Sequence, residues 1–127
     1  MIVSVIVCTY NRAVLLERLL QSLSALKAEP EQFEIIVVDN NSTDETRHIA
    51  ESFENPRIQF NYFFEARQGL SHARNRGWQE AKGEYVAFLD DEFTVPENWM
   101  AKALNEGSQQ PQFSLYQNLG RRKPGRH

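Results

Sequence analysis

Cysteine is almost absent from this sequence of 127 residues, in which Cys8 is the only one. A single cysteine cannot form a disulfide within the chain, which excludes a disulfide-stabilised secreted fold and suits a reducing compartment. Cys8 lies in an apolar segment, so we expect a buried structural thiol. A catalytic nucleophile is the alternative, but no spacing in the sequence suggests a Cys–His pair.

Long apolar runs are also lacking, and no segment is long enough to span a bilayer. Residues 1–7 are apolar, but no basic segment precedes them and the polar residues 9–12 follow, so a cleaved secretory signal is not expected. We therefore expect a cytoplasmic protein without a transmembrane segment. Peripheral attachment at the inner face of the membrane is the alternative location.

Glycine-rich phosphate loops are missing as well. No G-x-G-x-x-G motif follows the first apolar segment, and no G-x-x-x-x-G-K-[ST] motif occurs anywhere. These absences argue against the usual dinucleotide-binding fold and against a P-loop. The composition, with 41% hydrophobic and 24% charged residues, is that of an ordinary globular domain.

Basic charge is concentrated at one end of a chain whose net charge is −3. Residues 121–127 contain four of the 14 lysines and arginines and no acid. Such a segment can contact nucleic acid or anionic lipid. We expect instead a solvated end and no nucleic-acid partner.

Apolar segments rich in β-branched and aromatic residues alternate with segments of helical periodicity, which predicts the order β-α-β-α-β-α-β-α. The predicted strands are 2–8, 33–39, 57–64 and 84–89, and the predicted helices are 12–26, 43–53, 71–81 and 94–105. This alternation is typical of a three-layer α/β/α domain with a mostly parallel sheet. The third strand is more mixed and is expected near an edge. From about residue 108 onward we expect a poorly ordered end.

Three helix starts carry capping signals, one of them formed by Thr94 and Glu97 before the fourth helix. Asn11 is a good N-cap residue for the first helix. Ser42 and Glu45 have the spacing of a capping box for the second helix.

The stretch 84–92 runs from an apolar strand directly into the three carboxylates Asp90, Asp91 and Glu92. Adjacent like charges at the end of a buried strand need a counter-charge: an arginine, a metal ion, or a metal with a polyphosphate. Ligands of open α/β sheets bind beyond the carboxyl ends of the strands, where residues 9–12 and 39–42 are also polar. A triplet that is only a solvated loop remains the alternative.

Four segments resemble the successive sequence blocks of family 2 glycosyltransferases, in the family's order and over roughly residues 2–104. They are residues 3–12, 35–46, 68–77 and 83–92. The resemblance implies the GT-A fold. It also implies inverting transfer of a sugar from a nucleotide-diphosphate-sugar donor, such as a UDP-, GDP- or dTDP-sugar, to an unknown acceptor.

The resemblance assigns the first two blocks to the nucleobase. Thr9 and Tyr10, with the turn through Asn11 and Arg12, would hold the base. Asp39 would accept a hydrogen bond from it, and Asn41 would lie near it. From the residues alone, the equal alternative is that Asp39 caps the turn that follows its strand.

The last two blocks are assigned to the diphosphate and a metal. Arg74 would approach the diphosphate or the base, although a solvated or ion-paired helix residue is the alternative. Asp90 would bind a ribose hydroxyl or support the metal, a divalent Mg²⁺ or Mn²⁺. The metal ligand falls on Asp91 or on Glu92, where the family's Asp-x-Asp pattern has aspartate. Glutamate offers the same hard oxygen one methylene further out.

No residue of this chain matches the family's general base, so the catalytic residue is not assigned. We expect residues 1–107 to be the donor-binding half of a truncated GT-A domain and residues 108–127 a divergent basic tail. The alternative is a non-catalytic nucleotide-sugar-binding or assembly module, with its open sheet edge covered by a partner chain or by a second copy. A marginally stable fragment is the third interpretation.

Overall fold

The computed structural model describes residues 2–29, 32–106, 109–110 and 113–118. Four helices and six strands lie within these ranges. The strands are β1 (Val3–Thr9), β2 (Phe33–Asp39), β3 (Gln59–Phe64), β4 (Tyr85–Leu89), β5 (Gln109–Gln110) and β6 (Phe113–Gln117). The helices are α1 (Ala13–Ser24), α2 (Thr46–Glu51), α3 (Leu70–Glu80) and α4 (Trp99–Glu106).

The described strands form one mixed sheet in the order β3-β2-β1-β4-β6-β5. β1 pairs in parallel with β2 and with β4, and β2 pairs in parallel with β3. β6 runs antiparallel to both β4 and β5. The predicted mostly parallel sheet is confirmed, with β3 at one edge as expected.

The sheet lies between two helical layers, because side chains of a strand alternate between its faces. Val5 and Val7 of β1 pack into the core that holds the leucine stripe of α1 together with parts of α2 and α4. Ile6 packs into the opposite core with Ala73 of α3. The predicted three-layer arrangement is therefore confirmed.

Helix α3 lies very close to the sheet at Gly77. A Cβ atom on this residue would lie 2.5 Å from Cγ2 of Ile6 and 3.4 Å from Cγ2 of Val38. Glycine is therefore required for the observed spacing between α3 and the sheet. This contact positions Arg74, about one turn earlier on α3, beside the carboxyl end of the sheet.

The predicted caps of the first two helices are wrong, and α4 begins at Trp99 and not at residue 94. Asn11 has a left-handed φ of 52°, and α1 follows Arg12, which makes no side-chain cap. The amide of Ala13 instead donates to Oδ2 of Asp44. α2 begins only at Thr46, also without a side-chain cap from the preceding residue. The predicted capping box fails because the hydroxyl of Ser42 accepts a hydrogen bond from the amide of Asn11.

The chain after residue 108 differs from the expectation where it is described. Residues 113–117 form β6, which covers the edge of β4. Asn118 then fixes this strand, because its amide donates to the carbonyl of Glu84 and its side chain donates to the carbonyl of Gly83. The basic segment 121–127 lies outside the described residues. Among the described helices, none has both the length and the apolar character that crossing a membrane requires.

Candidate functional site

Three polar segments meet at one edge of the sheet because their strands are neighbours. Thr9 at the end of β1 lies opposite Asp39 at the end of β2, and Val7 lies opposite Leu89 at the end of β4. Residues 9–12, 39–42 and 90–92 therefore leave the sheet side by side. This is the edge at which open parallel sheets bind their ligands.

A cavity of about 680 Å³ opens at this edge. Its wall contains seven of the ten predicted donor- and metal-site residues, from the first and last segments and from α3. The predicted residues in the wall are Thr9, Tyr10, Arg12, Arg74, Asp90, Asp91 and Glu92. Clefts of this size hold small organic ligands.

Arg12 supplies the counter-charge that the acidic triplet requires. Its Nη1 atom lies 2.5 Å from Oε2 of Glu92 and 3.3 Å from Oδ1 of Asp91. The side chains of Arg12 and Glu92 are 44% and 58% exposed, whereas that of Asp91 is 8% exposed. One cationic nitrogen therefore lies where the oxygens of two carboxylates converge.

Asp91 is the shielded member of the triplet. Burial raises the pKa of its carboxyl above the ordinary value, whereas the hydroxyl of Thr9 and the guanidinium of Arg12 act in the opposite direction. The neighbouring charge of Asp90 raises the pKa further. A carboxylate that is shielded from water in this way gains more from a cation than an exposed one does.

Two further side chains give the cavity a cationic and an aromatic wall. The guanidinium carbon of Arg74 lies 4.8 Å from the centre of the Phe88 ring, a cation–π distance. No carboxylate of the described residues forms an ion pair with Arg74. Its charge is therefore available to an anion in the cavity.

Cys8 also lines the cavity, and it is only partly exposed. Burial raises the pKa of its thiol to about 12; the positive charge of Arg74 opposes this rise, and the negative charge of Asp91 adds to it. The thiol is therefore protonated at neutral pH. This agrees with the predicted structural role and not with a nucleophile.

The structure does not bring Asn11, Asp39 and Asn41 into the cavity wall. Asp39 is 1% exposed, and its carboxylate accepts hydrogen bonds from the amide of Ser42 at 2.9 Å and from the hydroxyl of Tyr62 at 2.6 Å. Burial, and then the hydrogen bond to Asp39, raise the pKa of Tyr62. Asn41 has a left-handed φ of 71° in the turn that follows.

Asn11 ties the loop after β1 to the loop after β2. Its side-chain oxygen accepts hydrogen bonds from the amides of Thr43 at 2.8 Å and of Asp44 at 3.3 Å. These contacts hold the turn that carries Tyr10 and Arg12. Asn11 thus supports the cavity wall from behind.

Sequence reasoning missed several residues of the wall, among them Asn40, Gly69 and Ser114. Asn40 is 7% exposed, donates to the carbonyls of Glu65 and Arg67, and accepts from the amide of Gly69. It thereby fixes the loop that leads into α3. An amide side chain directly after the buried strand β2 was the signal for this role, although the family roles were assigned to its neighbours.

The residues present fit a hard divalent cation that shares its coordination with a ligand. The described residues contain no cluster of three side chains that would make a complete protein cage. Mg²⁺ is usually held by one or two carboxylates together with phosphate oxygens. Asp91 and Glu92, which already converge on one cation, meet that description.

Comparison with known proteins found similar sequences and structures. The family model "Glycosyl transferase family 2" matches residues 4–125. A validoxylamine A glucosyltransferase of Streptomyces hygroscopicus subsp. limoneus is 41% identical over 91 residues, which are 70% of this chain and 20% of that protein. A GalNAc(5)-diNAcBac-PP-undecaprenol β-1,3-glucosyltransferase of Campylobacter jejuni is 38% identical over 91 residues, 70% of this chain and 29% of that protein.

Solved structures share the fold. S. aureus TarS 1-349 in complex with UDP-GlcNAc superposes with a TM-score of 0.75 at 32% identity, covering 82% of this chain and 30% of that chain. The mannosyltransferase PcManGT from Pyrobaculum calidifontis, in complex with GDP-Man and Mn²⁺, superposes with a TM-score of 0.73 at 34% identity. That match covers 80% of this chain and 31% of that one.

This chain therefore spans between a fifth and a third of the lengths of these proteins. The predicted GT-A fold is confirmed by these structural matches. The four sequence blocks, the shared fold and a family match over nearly the whole chain lead to one conclusion: the chain belongs to glycosyl transferase family 2.

Proposed function

We propose that this chain binds the nucleotide-diphosphate-sugar donor of an inverting, metal-dependent glycosyltransferase. The observation that carries the proposal is the convergence of the Asp91 and Glu92 carboxylates on one cation in the cavity wall. Arg74 lines the same cavity. A cavity with an anionic metal-binding corner and a separate cationic side chain is complementary to a diphosphate with its divalent cation.

The donor's parts are assigned to different regions of the wall. Tyr10 is 47% exposed and lines the cavity, where an aromatic ring can stack on a nucleobase. Asp39 lies outside the wall and is assigned to the base only by the resemblance, although each of its carboxylate oxygens keeps a second lone pair that can accept a hydrogen bond. Asp90 is assigned to the ribose or to support of the metal, and Arg74 to the diphosphate.

These residues act by position and charge. Departure of a nucleoside diphosphate leaves negative charge on its outer phosphate, and Arg74 stabilises that charge as it develops. Asp91 and Glu92 would hold the divalent ion, which when bound supplies further neutralisation of the leaving group. No general base is assigned to this chain. Residues 1–107 are proposed as the donor-binding part, and a cytoplasmic location belongs to the same proposal, supported by the single cysteine.

The direct test is calorimetric titration with UDP-, GDP- and dTDP-sugars in the presence of Mn²⁺ or Mg²⁺. Asp91→Asn is expected to abolish the metal-dependent part of binding. Arg74→Gln is expected to weaken binding by about tenfold to a hundredfold, the usual contribution of a charge-assisted hydrogen bond. Arg18→Gln is the matched control, since Arg18 is exposed on α1 and lies outside the cavity wall.

Absence of binding to every donor would contradict the proposal, as would binding that none of the cavity variants changes. A transfer assay with a panel of acceptors then separates the two candidate functions. Release of the nucleoside diphosphate that depends on an acceptor supports transfer, because hydrolysis by water releases it without one. Tight donor binding without release supports the non-catalytic binding module.

A further inference from the structure

Arg12 occupies the place at which Asp91 and Glu92 would hold a cation. Its Nη1 atom is within 3.3 Å of one oxygen from each carboxylate. Divalent cations bind carboxylate oxygens at about 2.0 to 2.6 Å. A metal ion shared by these two oxygens would compete with the guanidinium nitrogen for them, and the two positive charges would repel each other at so short a separation.

Displacement of Arg12 requires movement of its side chain alone. The backbone carbonyl of Arg12 accepts a hydrogen bond from the amide of Leu16, which fixes the residue at the start of α1. The side chain is 44% exposed, and its two ion pairs join residues of the cavity wall. A long side chain of this kind can rotate away without disturbing the helix or the sheet.

A displaced Arg12 remains beside the cavity that is assigned to the diphosphate. Arginine binds phosphate oxygens in the same forked geometry that it uses for carboxylates. A diphosphate in the cavity therefore competes with Asp91 and Glu92 for this guanidinium. Release of the guanidinium in turn frees the two carboxylates for a metal ion.

We propose that the guanidinium of Arg12 competes with the divalent metal for the carboxylates of Asp91 and Glu92. When the metal and the diphosphate are both bound, the guanidinium pairs with the diphosphate instead. This inference rests on the proposed function. Its consequence is thermodynamic coupling: the metal binds weakly to the chain alone and more tightly once a diphosphate has drawn Arg12 away. The carboxylates are paired with a cation both before and after the metal binds. The buried Asp91 therefore never carries an uncompensated charge.

The test is a titration of the chain with Mn²⁺ alone, in which the free ion is measured by electron paramagnetic resonance. Arg12→Gln is expected to bind Mn²⁺ more tightly than the unmodified chain, by about twofold to thirtyfold, because the exposed ion pair to Glu92 and the partly buried one to Asp91 no longer compete. Arg12→Lys, which keeps the charge but loses the fork, is expected to fall between them. Arg18→Gln removes the same charge elsewhere on α1 and is expected to leave the affinity within about twofold.

A second titration measures UDP and GDP binding with and without Mn²⁺. The unmodified chain is expected to bind the preferred nucleotide more tightly with Mn²⁺, and Arg12→Gln is expected to show a smaller enhancement. Thermal melts of each variant verify that it is folded. If Arg12→Gln is not folded, Arg12→Lys is used for both titrations in its place.

Equal or weaker Mn²⁺ binding by Arg12→Gln and Arg12→Lys would overturn the role of Arg12. If Asp91→Asn still abolished Mn²⁺ binding in that case, the proposed metal site would stand without it. Failure of Mn²⁺ to bind any variant, with or without nucleotide, would overturn the proposed metal site together with this inference.

Discussion

Gly77 is the position at which helix propensity and packing predict opposite results for one substitution. In an exposed helix, Gly→Ala raises stability by about 1 kcal/mol. At Gly77 the added Cβ would lie 2.5 Å from Cγ2 of Ile6, a residue that is 0% exposed. Favourable carbon–carbon contacts lie at about 3.5 to 4.0 Å, so α3 or β1 must shift by roughly an ångström.

The expected result of Gly77→Ala is therefore a loss of about 1 to 3 kcal/mol in the free energy of unfolding, the usual range for overpacking a core. The measurement is chemical denaturation followed by far-UV circular dichroism. Asn75→Ala, at an exposed position of the same helix, is the control. It is expected to gain a few tenths of a kcal/mol from helix propensity.

A double-mutant cycle assigns the loss to the contact. Ile6→Leu removes the branched methyl group that the new Cβ would meet, so it is expected to relieve part of the loss that Gly77→Ala causes. An increase in stability on Gly77→Ala, or strictly additive effects of the two substitutions, would refute the close contact between Gly77 of α3 and Ile6 of β1. Because α3 carries Arg74, the same shift is expected to weaken donor binding.

Three further predictions concern the site and its supports. Alkylation of Cys8 by iodoacetamide, measured by mass spectrometry, is expected to stay slow up to pH 9 and to become faster toward pH 12. At pH 8.5 a thiol of pKa about 12 is ionised in only about three molecules in ten thousand. An alkylation rate that levels off near pH 9 would contradict the raised pKa. Asn11→Ala is expected to lower the free energy of unfolding by about 1 kcal/mol more than Asn11→Gly, as measured by chemical denaturation. Both variants lose the same hydrogen bonds, but only alanine is strained at a φ of 52°. Equal losses would count against that backbone conformation. Tyr62→Phe is expected to lower stability by about 1 to 2 kcal/mol, since a hydrogen bond to the buried Asp39 is lost; no loss would show that this hydrogen bond adds little.

The four predicted strands and the helix order follow from local patterns that the fold leaves intact. The β-branched runs of β1 and β2 are buried on both faces, and that burial keeps such segments extended. The leucine stripe of α1 is buried at Leu16, Leu19, Leu20 and Leu23 because its period matches the helix. In both cases the local pattern and the tertiary environment agree.

Strand β6 is not predictable from its own residues. Five residues between polar segments carry little periodicity, and the strand exists because β4 offers an edge for it to pair with. The buried acid Glu34 shows the same limitation. It is 0% exposed and accepts hydrogen bonds from the hydroxyl of Ser4 and from the amide of Lys82, partners that lie 30 and 48 residues away.

Part of the site was predictable because chemistry and position coincide in the sequence. Polar residues that directly follow buried strands must lie at one edge, which brought Thr9, Arg12 and Asp91 together. The role of Asn11 was not predictable, because it depends on a loop from another part of the chain. The counter-ion of the triplet was left open between arginine and metal, and the structure shows that Arg12 takes that place.

The most direct measurement is a crystal structure of the chain with Mn²⁺ and its preferred nucleoside diphosphate, with data collected at the manganese absorption edge. We expect an anomalous peak about 2.0 to 2.6 Å from a carboxylate oxygen of Asp91 or Glu92. We also expect the diphosphate in the same cavity and the Arg12 guanidinium withdrawn from the carboxylates. A manganese ion or a nucleotide bound away from this cavity would contradict the proposed donor site.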